Sequence, residues 1–303
     1  MNDYMDILPE IADALNSKQA VVALESTIIS HGMPYPENLE CAAACEADIR
    51  KHGAVPATIA VIDGRIKIGL SAEFFERLAS GKDIVKCSRR DLPYMITAGK
   101  NGAATVAATM IAASMAGIRF FATGGIGGVH RGAEDTMDIS ADLTELQTTD
   151  VCVISAGVKS ILDIGRTLEY LETLGVPVIS YGQDDFPAFY TRTSGWKAPL
   201  RLDSPIDAAK MMKVKWELGI KGGAVIGNPI PAANALPEEE INAAIEEALL
   251  EASTRNISGK DITPFLLAAI KTITGGRSLE ANIHLVRNNA CLAAEIAAAY
   301  IKL

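Results

Sequence analysis

Short, continuous apolar runs that alternate with helical segments most restrict the fold of this 303-residue chain. Runs of this kind predict strands buried on both faces, and they lie at residues 20–24, 151–155, 176–181 and 223–227. Helical patterns separate them, at residues 37–51, 102–115, 160–174 and 205–218. The alternation predicts an α/β fold, a three-layer α/β/α sandwich with a mainly parallel sheet and, from residue 237 onward, a helical C-terminal region. No linker interrupts it, so we expect one catalytic domain over residues 1–303.

The composition excludes several classes of protein. With 49% hydrophobic and 21% charged residues, the chain can bury a large core and is not disordered. A net charge of -9 argues against nucleic acid as a partner, so an anionic substrate requires a local cluster of cations. No apolar run approaches the roughly 20 residues that span a bilayer. The N-terminus lacks the basic region of a signal peptide, and the five cysteines show no CxxC pairing, so we expect a cytoplasmic protein.

A glycine-rich stretch follows the strand-like run that ends at Thr123. Four glycines come first, and polar side chains then crowd the next residues: His130, Arg131, Glu134, Asp135, Asp138, Ser140 and Asp142. Glycines allow backbone N–H groups to approach a ligand closely, so we interpret this stretch as one wall of a small-molecule site. The alternative is a solvated connection. A dinucleotide fingerprint does not fit, because the sixth position of G-x-G-x-x-G from Gly125 is His130.

Two ionisable residues follow predicted strands and are candidates for chemistry. Lys159 lies between the strand at 151–155 and the predicted helix at 160–174, where burial and the helix N-terminus should lower its pKa. A neutral lysine can attack a sugar aldehyde carbon and form an imine. Glu25 follows the strand at 20–24, and partial burial would raise its pKa toward that of a general acid. The alternatives are a solvated loop lysine and a helix-capping or hydrogen-bonding carboxylate.

Lys86, Arg89 and Arg90 form a compact cationic group in an otherwise acidic chain. A phosphate would suit this group, with lysine as a point charge and arginine as a fork. Alternatively, these cations pair with Asp83 and Asp91 at the surface.

Two further groups of residues are candidates for ligand binding, a pair of carboxylates and a set of amides. Asp138 and Asp142 are hard oxygen ligands that favour Mg²⁺ or Mn²⁺ held largely through waters, although pairs of aspartates are common in loops. The amides of Asn282, Asn288 and Asn289 suit a nucleobase or sugar edge, whereas an exposed helix surface is the alternative.

Long motifs carry a family resemblance over nearly the whole chain, from about residue 10 to the end. The segments are ALESTIISHGMPYP (23–36), KCSRRDLP (86–93), NGAATVAATM (101–110), FATGGIGGVHRGAEDTMDISADL (121–143), AGVKSILD (156–163), GNPIP (227–231), GKDITPFLL (259–267) and NIHLVRNNA (282–290). Together they resemble the pseudouridine-5'-phosphate glycosidases of the indigoidine synthase A-like group.

The resemblance implies a homotrimer of α/β/α subunits, each binding Mn²⁺, with Mg²⁺ or another divalent cation as an alternative. It implies reversible cleavage of the C–C glycosidic bond of pseudouridine 5'-phosphate with water, which gives uracil and ribose 5-phosphate. By the same resemblance, Lys159 is the Schiff-base lysine, Glu25 the proton donor and Asp138 the metal ligand. The implied substrate contacts are Lys86, Val106, Ser140, Ala141 and Asp142, with His130 and Asn282 as further pocket residues.

Other functions use the same residues. A lysine-dependent sugar-phosphate aldolase would use Lys159 and the cations, but its reaction would not depend on uracil. A non-catalytic nucleotide- or phosphate-binding protein would need the glycine-rich stretch and Lys86, and it would tolerate substitution of Glu25. Pigment biosynthesis, a role of a relative in the same group, is a fourth alternative.

Overall fold

The computed structural model describes residues 3–257 and 259–303. Residues 1, 2 and 258, which the predicted domain includes, lie outside the described residues. The described strands are β1 (Met5–Ile7), β2 (Val21–Leu24), β3 (Val55–Ile62), β4 (Arg65–Ile68), β5 (Ile84–Cys87), β6 (Asn101–Ala104), β7 (Phe120–Ala122), β8 (Cys152–Ser155), β9 (Val178–Tyr181), β10 (Leu200–Leu202) and β11 (Ala224–Gly227). The described α-helices are α1 (Pro9–Asn16), α2 (Glu37–Lys51), α3 (Ala72–Ala79), α4 (Leu92–Thr97), α5 (Val106–Ala116), α6 (Ala133–Thr136), α7 (Ala141–Thr148), α8 (Ile164–Thr173), α9 (Pro205–Glu217), α10 (Glu238–Thr254), α11 (Ile262–Ile273) and α12 (Arg277–Tyr300).

The sheet is mixed and mainly parallel. Its parallel part has the order β3-β2-β7-β8-β11-β9-β10. β3 also pairs antiparallel with β4 and with β6. Beyond these, β1 pairs parallel with β4, and β5 pairs parallel with β6. The predicted three-layer α/β/α sandwich with a mainly parallel sheet and a helical C-terminal region is confirmed.

The strand order reverses beside β2. From β2 the chain proceeds to β3 on one side, whereas β7 and β8 lie on the other side. Open α/β sheets bind ligands beyond the carboxyl ends of the strands at such a reversal. Leu24 pairs with Ala122 across β2 and β7, so the residues that follow these two strands emerge side by side.

Long helices cover the sheet and bury its apolar strands. All four residues of β2, β8 and β11 are buried, as their continuous apolar sequences predict. α12 packs on β2, β7 and β8, and α5 packs on β2, β3 and β4. Within the described part of the chain, the structure shows no helix that is long and apolar enough to cross a membrane.

Two local predictions were wrong. The segment 102–115 is not one helix, because Asn101–Ala104 pairs with β3 and β5, and Thr105 then caps α5 by accepting a hydrogen bond from the Ala108 N–H. α8 begins at Ile164 rather than at residue 160, after its cap Asp163. Elsewhere, β1 and α1 form the N-terminal segment, and Ile28–Gly32 forms a π-helical turn.

Candidate active site

The carboxyl ends of β2, β7 and β8 carry the first residues of the site. Glu25 follows β2, Thr123 follows β7, and Lys159 lies four residues beyond the end of β8, while Lys86 comes from β5. All four line one cleft. The structure therefore brings together Glu25, Lys159 and Lys86, as the sequence predicts.

The cleft has two connected lobes. Both are lined by Glu25, Thr27, Lys86, Lys159 and Thr263, which form the junction between them. The inner lobe continues between apolar side chains to an asparagine, and its further walls include Ile28, Gly125, Phe189, Pro264, Leu267 and Asn282. The outer lobe is polar and cationic, and its further walls include Arg89, Val106, His130, Asp138, Ser140 and Asp142.

Glu25 is buried, with 6% of its surface exposed. The hydroxyl groups of Thr27 and Thr123 donate hydrogen bonds to its two carboxylate oxygens. Burial raises the pKa of Glu25, and this effect outweighs the opposing influence of Lys159, the Thr123 hydroxyl and Lys86. A carboxyl group with a raised pKa holds its proton closer to neutral pH, which suits a proton donor.

Lys159 lies in a turn that is tied to the glycine-rich stretch. Its N–H donates to the carbonyl of Ile126 (3.1 Å), and the Asp163 N–H donates to the carbonyl of Val129 (2.9 Å). The pairing of Asp163 with Val129 delays the start of α8, so the predicted helix N-terminus beside Lys159 is wrong. A Cβ at Gly125 would lie 3.2 Å from Lys159 Cγ and 2.6 Å from the Phe189 ring, so glycine leaves the room that both side chains need.

Asp142 joins the starts of two helices. Its Oδ1 accepts the Ala107 N–H of α5 (3.0 Å), and its Oδ2 accepts the Gly127 N–H (2.8 Å). Asp142 is itself near the N-terminus of α7, which Ser140 caps by accepting the Asp142 N–H. Two positive helix ends therefore face the outer lobe, an arrangement that favours an anion. With both oxygens bound to backbone groups, Asp142 acts as a brace between Gly127 and α5.

Lys86 and His130 are half-buried basic groups of the outer lobe. Burial lowers the pKa of Lys86, an effect that repulsion from Lys159 reinforces and that Asp142 and Glu25 oppose. Burial also lowers the pKa of His130, against the attraction of Asp138. His130 Nδ1 lies 4.0 Å from Asp138 Oδ2, and the side chain of Asp138 is 40% exposed.

A divalent cation would have few protein ligands here. Within residues 3–257 and 259–303, no group of three or more His, Cys, Asp or Glu side chains is arranged to hold a metal ion. Asp138 nevertheless lines the outer lobe with a partly exposed carboxylate. This donor set fits a hard cation bound through one carboxylate, with waters and the substrate as the other ligands.

All three predicted cations line the outer lobe, and two of them also have acidic partners. Lys86 lines both lobes, and Arg89 Nη1 donates to Oε2 of Glu145 (2.6 Å), a residue 56 positions away. Arg90 is 84% exposed at the side chain and lies 3.7 Å from Asp91. The predicted surface pairing therefore holds for Arg90 with Asp91, and Arg89 has a partner that local sequence did not indicate.

The asparagines of α12 are structural as well as pocket residues. Asn289 Nδ2 donates to the carbonyls of Thr123 (2.8 Å) and Gly124 (3.3 Å), and its Oδ1 accepts from Asn228. Asn282 lines the inner lobe. Because Asn282 and Asn289 are both buried, the alternative that they lie on an exposed helix surface is wrong. Asn288 is half-buried and donates to the Pro229 carbonyl (3.2 Å).

Several site residues escaped the sequence analysis. Thr27 and Thr123 could have been found, because each follows a predicted strand at the edge where Glu25 lies. Phe189 gave no such signal, since it is placed by an irregular segment in which its own φ is 65°. Val106 and Ala141 sit at the first positions of α5 and α7, where the resemblance alone had indicated substrate contacts.

Fold and cleft together define the class of this protein: an α/β protein with a lysine and a buried carboxyl group between an apolar lobe and a cationic lobe. A family model described as "Indigoidine synthase A like protein" matches residues 10–299, and the chain belongs to this family. The family predicted from the motifs is thereby confirmed.

Similar proteins support the same family over full length. The chain is 58% identical over 303 residues to the pseudouridine-5'-phosphate glycosidase of Deinococcus radiodurans, which covers 100% of this chain and 97% of the relative. It is 58% identical to the protein of the same name from Escherichia coli (strain K12), over 99% of this chain and 97% of the relative. Among solved structures, prealnumycin C-glycosynthase AlnA in complex with ribulose 5-phosphate superposes with a TM-score of 0.92 at 39% identity, covering 100% and 98% of the two chains. An indigoidine synthase A-like protein from Thermotoga maritima gives 0.88 at 34% identity, covering 98% and 97%.

Proposed function

We propose that this chain is a pseudouridine-5'-phosphate glycosidase, which cleaves pseudouridine 5'-phosphate and water into uracil and ribose 5-phosphate. The observation that carries the proposal is the junction of the two lobes, where Lys159 and Glu25 line the same space. The names of the full-length relatives and the C-glycosynthase complex with a sugar phosphate support it. The same groups serve the reverse reaction.

The two lobes match the two ends of this substrate. The phosphate binds in the outer lobe, near Lys86, the Ser140 hydroxyl and the helix starts at Val106 and Ala141. The uracil binds in the inner lobe, where Phe189 and Leu267 contact its faces and Asn282 contacts its edge. The ribose then lies at the junction, with C1' beside Lys159.

A C–C glycosidic bond has no heteroatom leaving group, so two-carboxylate hydrolysis would not break it. The amine of Lys159 attacks C1', the C1'–O4' bond breaks, and Glu25 gives its proton to O4'. The Glu25 carboxylate then takes a proton from the attached nitrogen and delivers it to C5, where the N1–C6=C5 enamine of the uracil ring accepts it. The nitrogen lone pair forms a C1'=N iminium as the C1'–C5 bond breaks, and the electrons of that bond restore the C5=C6 double bond and the neutral N1 of uracil. Water adds to the iminium and releases ribose 5-phosphate and the free lysine.

Several residues assist without bonding to the sugar. Hydroxyl groups of Thr27 and Thr123 orient the Glu25 carboxyl group. Phosphate binding supplies remote binding energy that orients C1' for attack.

We propose Asp138 as the ligand of Mn²⁺, one ion per subunit, with Mg²⁺ as the alternative; His130 lies beside it. When bound, the cation offsets negative charge on the substrate near the outer lobe.

We also propose a homotrimer and a cytoplasmic location. Exposed Met115 lines a surface groove with Ile96 and Ile111, which suits self-association, and the five free cysteines suit a reducing compartment.

Borohydride trapping tests the central step. The protein is reduced in the presence of ribose 5-phosphate, with and without uracil, and peptides are mapped by mass spectrometry. We expect a pentose phosphate adduct on Lys159 and uracil-dependent formation of pseudouridine 5'-phosphate. Lys159→Ala should lose both, whereas Lys100→Ala, at an exposed position, should retain both.

The other outcomes select the alternatives. An adduct on Lys159 without any uracil-dependent product would favour the aldolase. Absence of an adduct on intact, Mn²⁺-loaded protein would favour the non-catalytic binding protein.

A further inference from the structure

A second cavity, here called the side cavity, adjoins the inner lobe and lies between residues 30–34 and the helices α11 and α12. The two spaces share the walls His31, Gly32, Pro264, Leu267 and Asn282. A substituent on a base bound in the inner lobe therefore has space close to it on this side.

Asn282 lines both the inner lobe and the side cavity. It is 5% exposed, and its Oδ1 has no hydrogen-bond partner among the described residues. A buried acceptor without a partner costs free energy, which a ligand N–H recovers. Uracil attached through C5 offers two ring N–H groups, at N1 and N3, so Asn282 can engage one while the other points elsewhere.

The walls beyond Asn282 suit an apolar substituent. Met33, Leu279 and the ring of Tyr190 line the side cavity, and Leu267 continues from the inner lobe. Small residues keep the space open, because Gly32 and Ala268 present no side chain longer than a methyl group.

We propose that this protein also acts on N-alkylated pyrimidine C-nucleoside 5'-phosphates, with the alkyl group in the side cavity and on the ring nitrogen that Asn282 does not engage. The inference rests on the proposed function. The chemistry permits it, since an alkyl group on a ring nitrogen leaves the N1 lone pair and the C5=C6 double bond available for protonation at C5 and for cleavage of the C1'–C5 bond.

The test compares five substrates: pseudouridine 5'-phosphate and its N1-methyl, N1-propyl, N3-methyl and N3-propyl derivatives. Release of the free base and ribose 5-phosphate is measured by mass spectrometry and expressed as kcat/KM. We expect one propyl compound to be cleaved within about tenfold of the parent and its N-isomer to be at least about a hundredfold slower. The isomer loses the N–H that Asn282 accepts.

A variant that narrows the side cavity tests whether the alkyl group binds there. Ala268 is exposed on α11 and lines only the side cavity, so Ala268→Phe should narrow it without touching the inner lobe. We expect kcat/KM for the tolerated propyl compound to fall by about tenfold or more, and that for the parent to change less than about twofold. The matched control is Ala243→Phe, at an exposed position of α10, which should change neither value.

The outcomes separate this inference from the function on which it rests. No cleavage of the parent compound would refute the proposed function itself. Cleavage of the parent with a loss of about a hundredfold or more for both N1-methyl and N3-methyl compounds would overturn the inference alone. Equal tolerance in wild type and Ala268→Phe would show that the alkyl group lies elsewhere, which also overturns it.

Discussion

Glu25 shows how burial sets the property of a single residue. Its carboxyl group lies among two threonine hydroxyls and two lysines, yet burial outweighs them and raises the pKa. The folded protein therefore binds the Glu25 proton more tightly than the unfolded chain does. As pH rises from the ordinary value near 4.5 through the raised value, this contribution to the free energy of unfolding is lost.

Substitution of Glu25 by glutamine should separate activity from stability. Glutamine keeps the shape and polarity but never ionises, so turnover should fall by about 10²- to 10⁴-fold. The variant should lack the part of the pH-dependent stability loss that Glu25 causes, and at pH 8 it should unfold at an equal or higher urea concentration than wild type. Measurements are steady-state turnover and urea unfolding at pH 5 and pH 8.

Glu46→Gln is the matched control, because Glu46 also has a pKa raised by burial and accepts a hydrogen bond from Thr58. It should share the stability change but keep normal turnover. A Glu25→Gln variant that retained full activity would remove Glu25 from the reaction.

Lys86 should discriminate a phosphorylated substrate from its nucleoside. Lys86→Met keeps much of the side-chain volume and removes the charge, so KM for pseudouridine 5'-phosphate should rise by about 10- to 100-fold. Turnover of unphosphorylated pseudouridine should change little by comparison. Lys82→Met, at an exposed position on the same segment, is the control. An equal loss on both substrates would place the phosphate away from Lys86.

At the scale of elements, α12 holds the strand ends in register. Asn289 is the connection, since its amide donates to two carbonyls that follow β7. Asn289→Leu should leave these buried acceptors without partners and lower the free energy of unfolding by about 1–3 kcal/mol. Turnover should fall as well, because Thr123 also donates to Glu25. Urea unfolding and activity assays measure both effects.

Asn288→Leu, one residue earlier on the same helix, is the comparison. Asn288 is half-buried and makes a single hydrogen bond to Pro229, so its loss should be smaller on both measures. Equal effects of the two substitutions would mean that Asn289 does not position the strand end.

The sequence predicted those parts of the site that depend on local patterns of apolar and polar residues. Glu25 and Lys159 follow apolar strands, and parallel strands bring their carboxyl ends to one edge. The start of α8 was wrong because the backbone of Asp163 pairs with Val129, a partner that no local pattern reveals. β6 was taken for helix because Asn101–Ala104 contains no β-branched residue, and its pairing with β3 and β5 overrides local propensity.

At the scale of the whole molecule, stability should be unevenly distributed. α12 packs against three central strands and against α2 and α9, whereas α10 and α11 pack mainly on each other. Amide hydrogens in α12 should therefore exchange only through global unfolding, and those in α10 and α11 through smaller openings. Hydrogen exchange followed by mass spectrometry would measure this. Equal protection in α10 and α12 would contradict the expectation.

The position of α12 after all the described strands also affects synthesis on the ribosome. Residues 277–300 emerge later than the strands that they cover, and until they do, one face of β2, β7 and β8 lacks its cover and Thr123 lacks its partner Asn289. The site therefore forms only after residues 277–300 have left the ribosome, and a chain interrupted before them should be inactive and expose apolar strands.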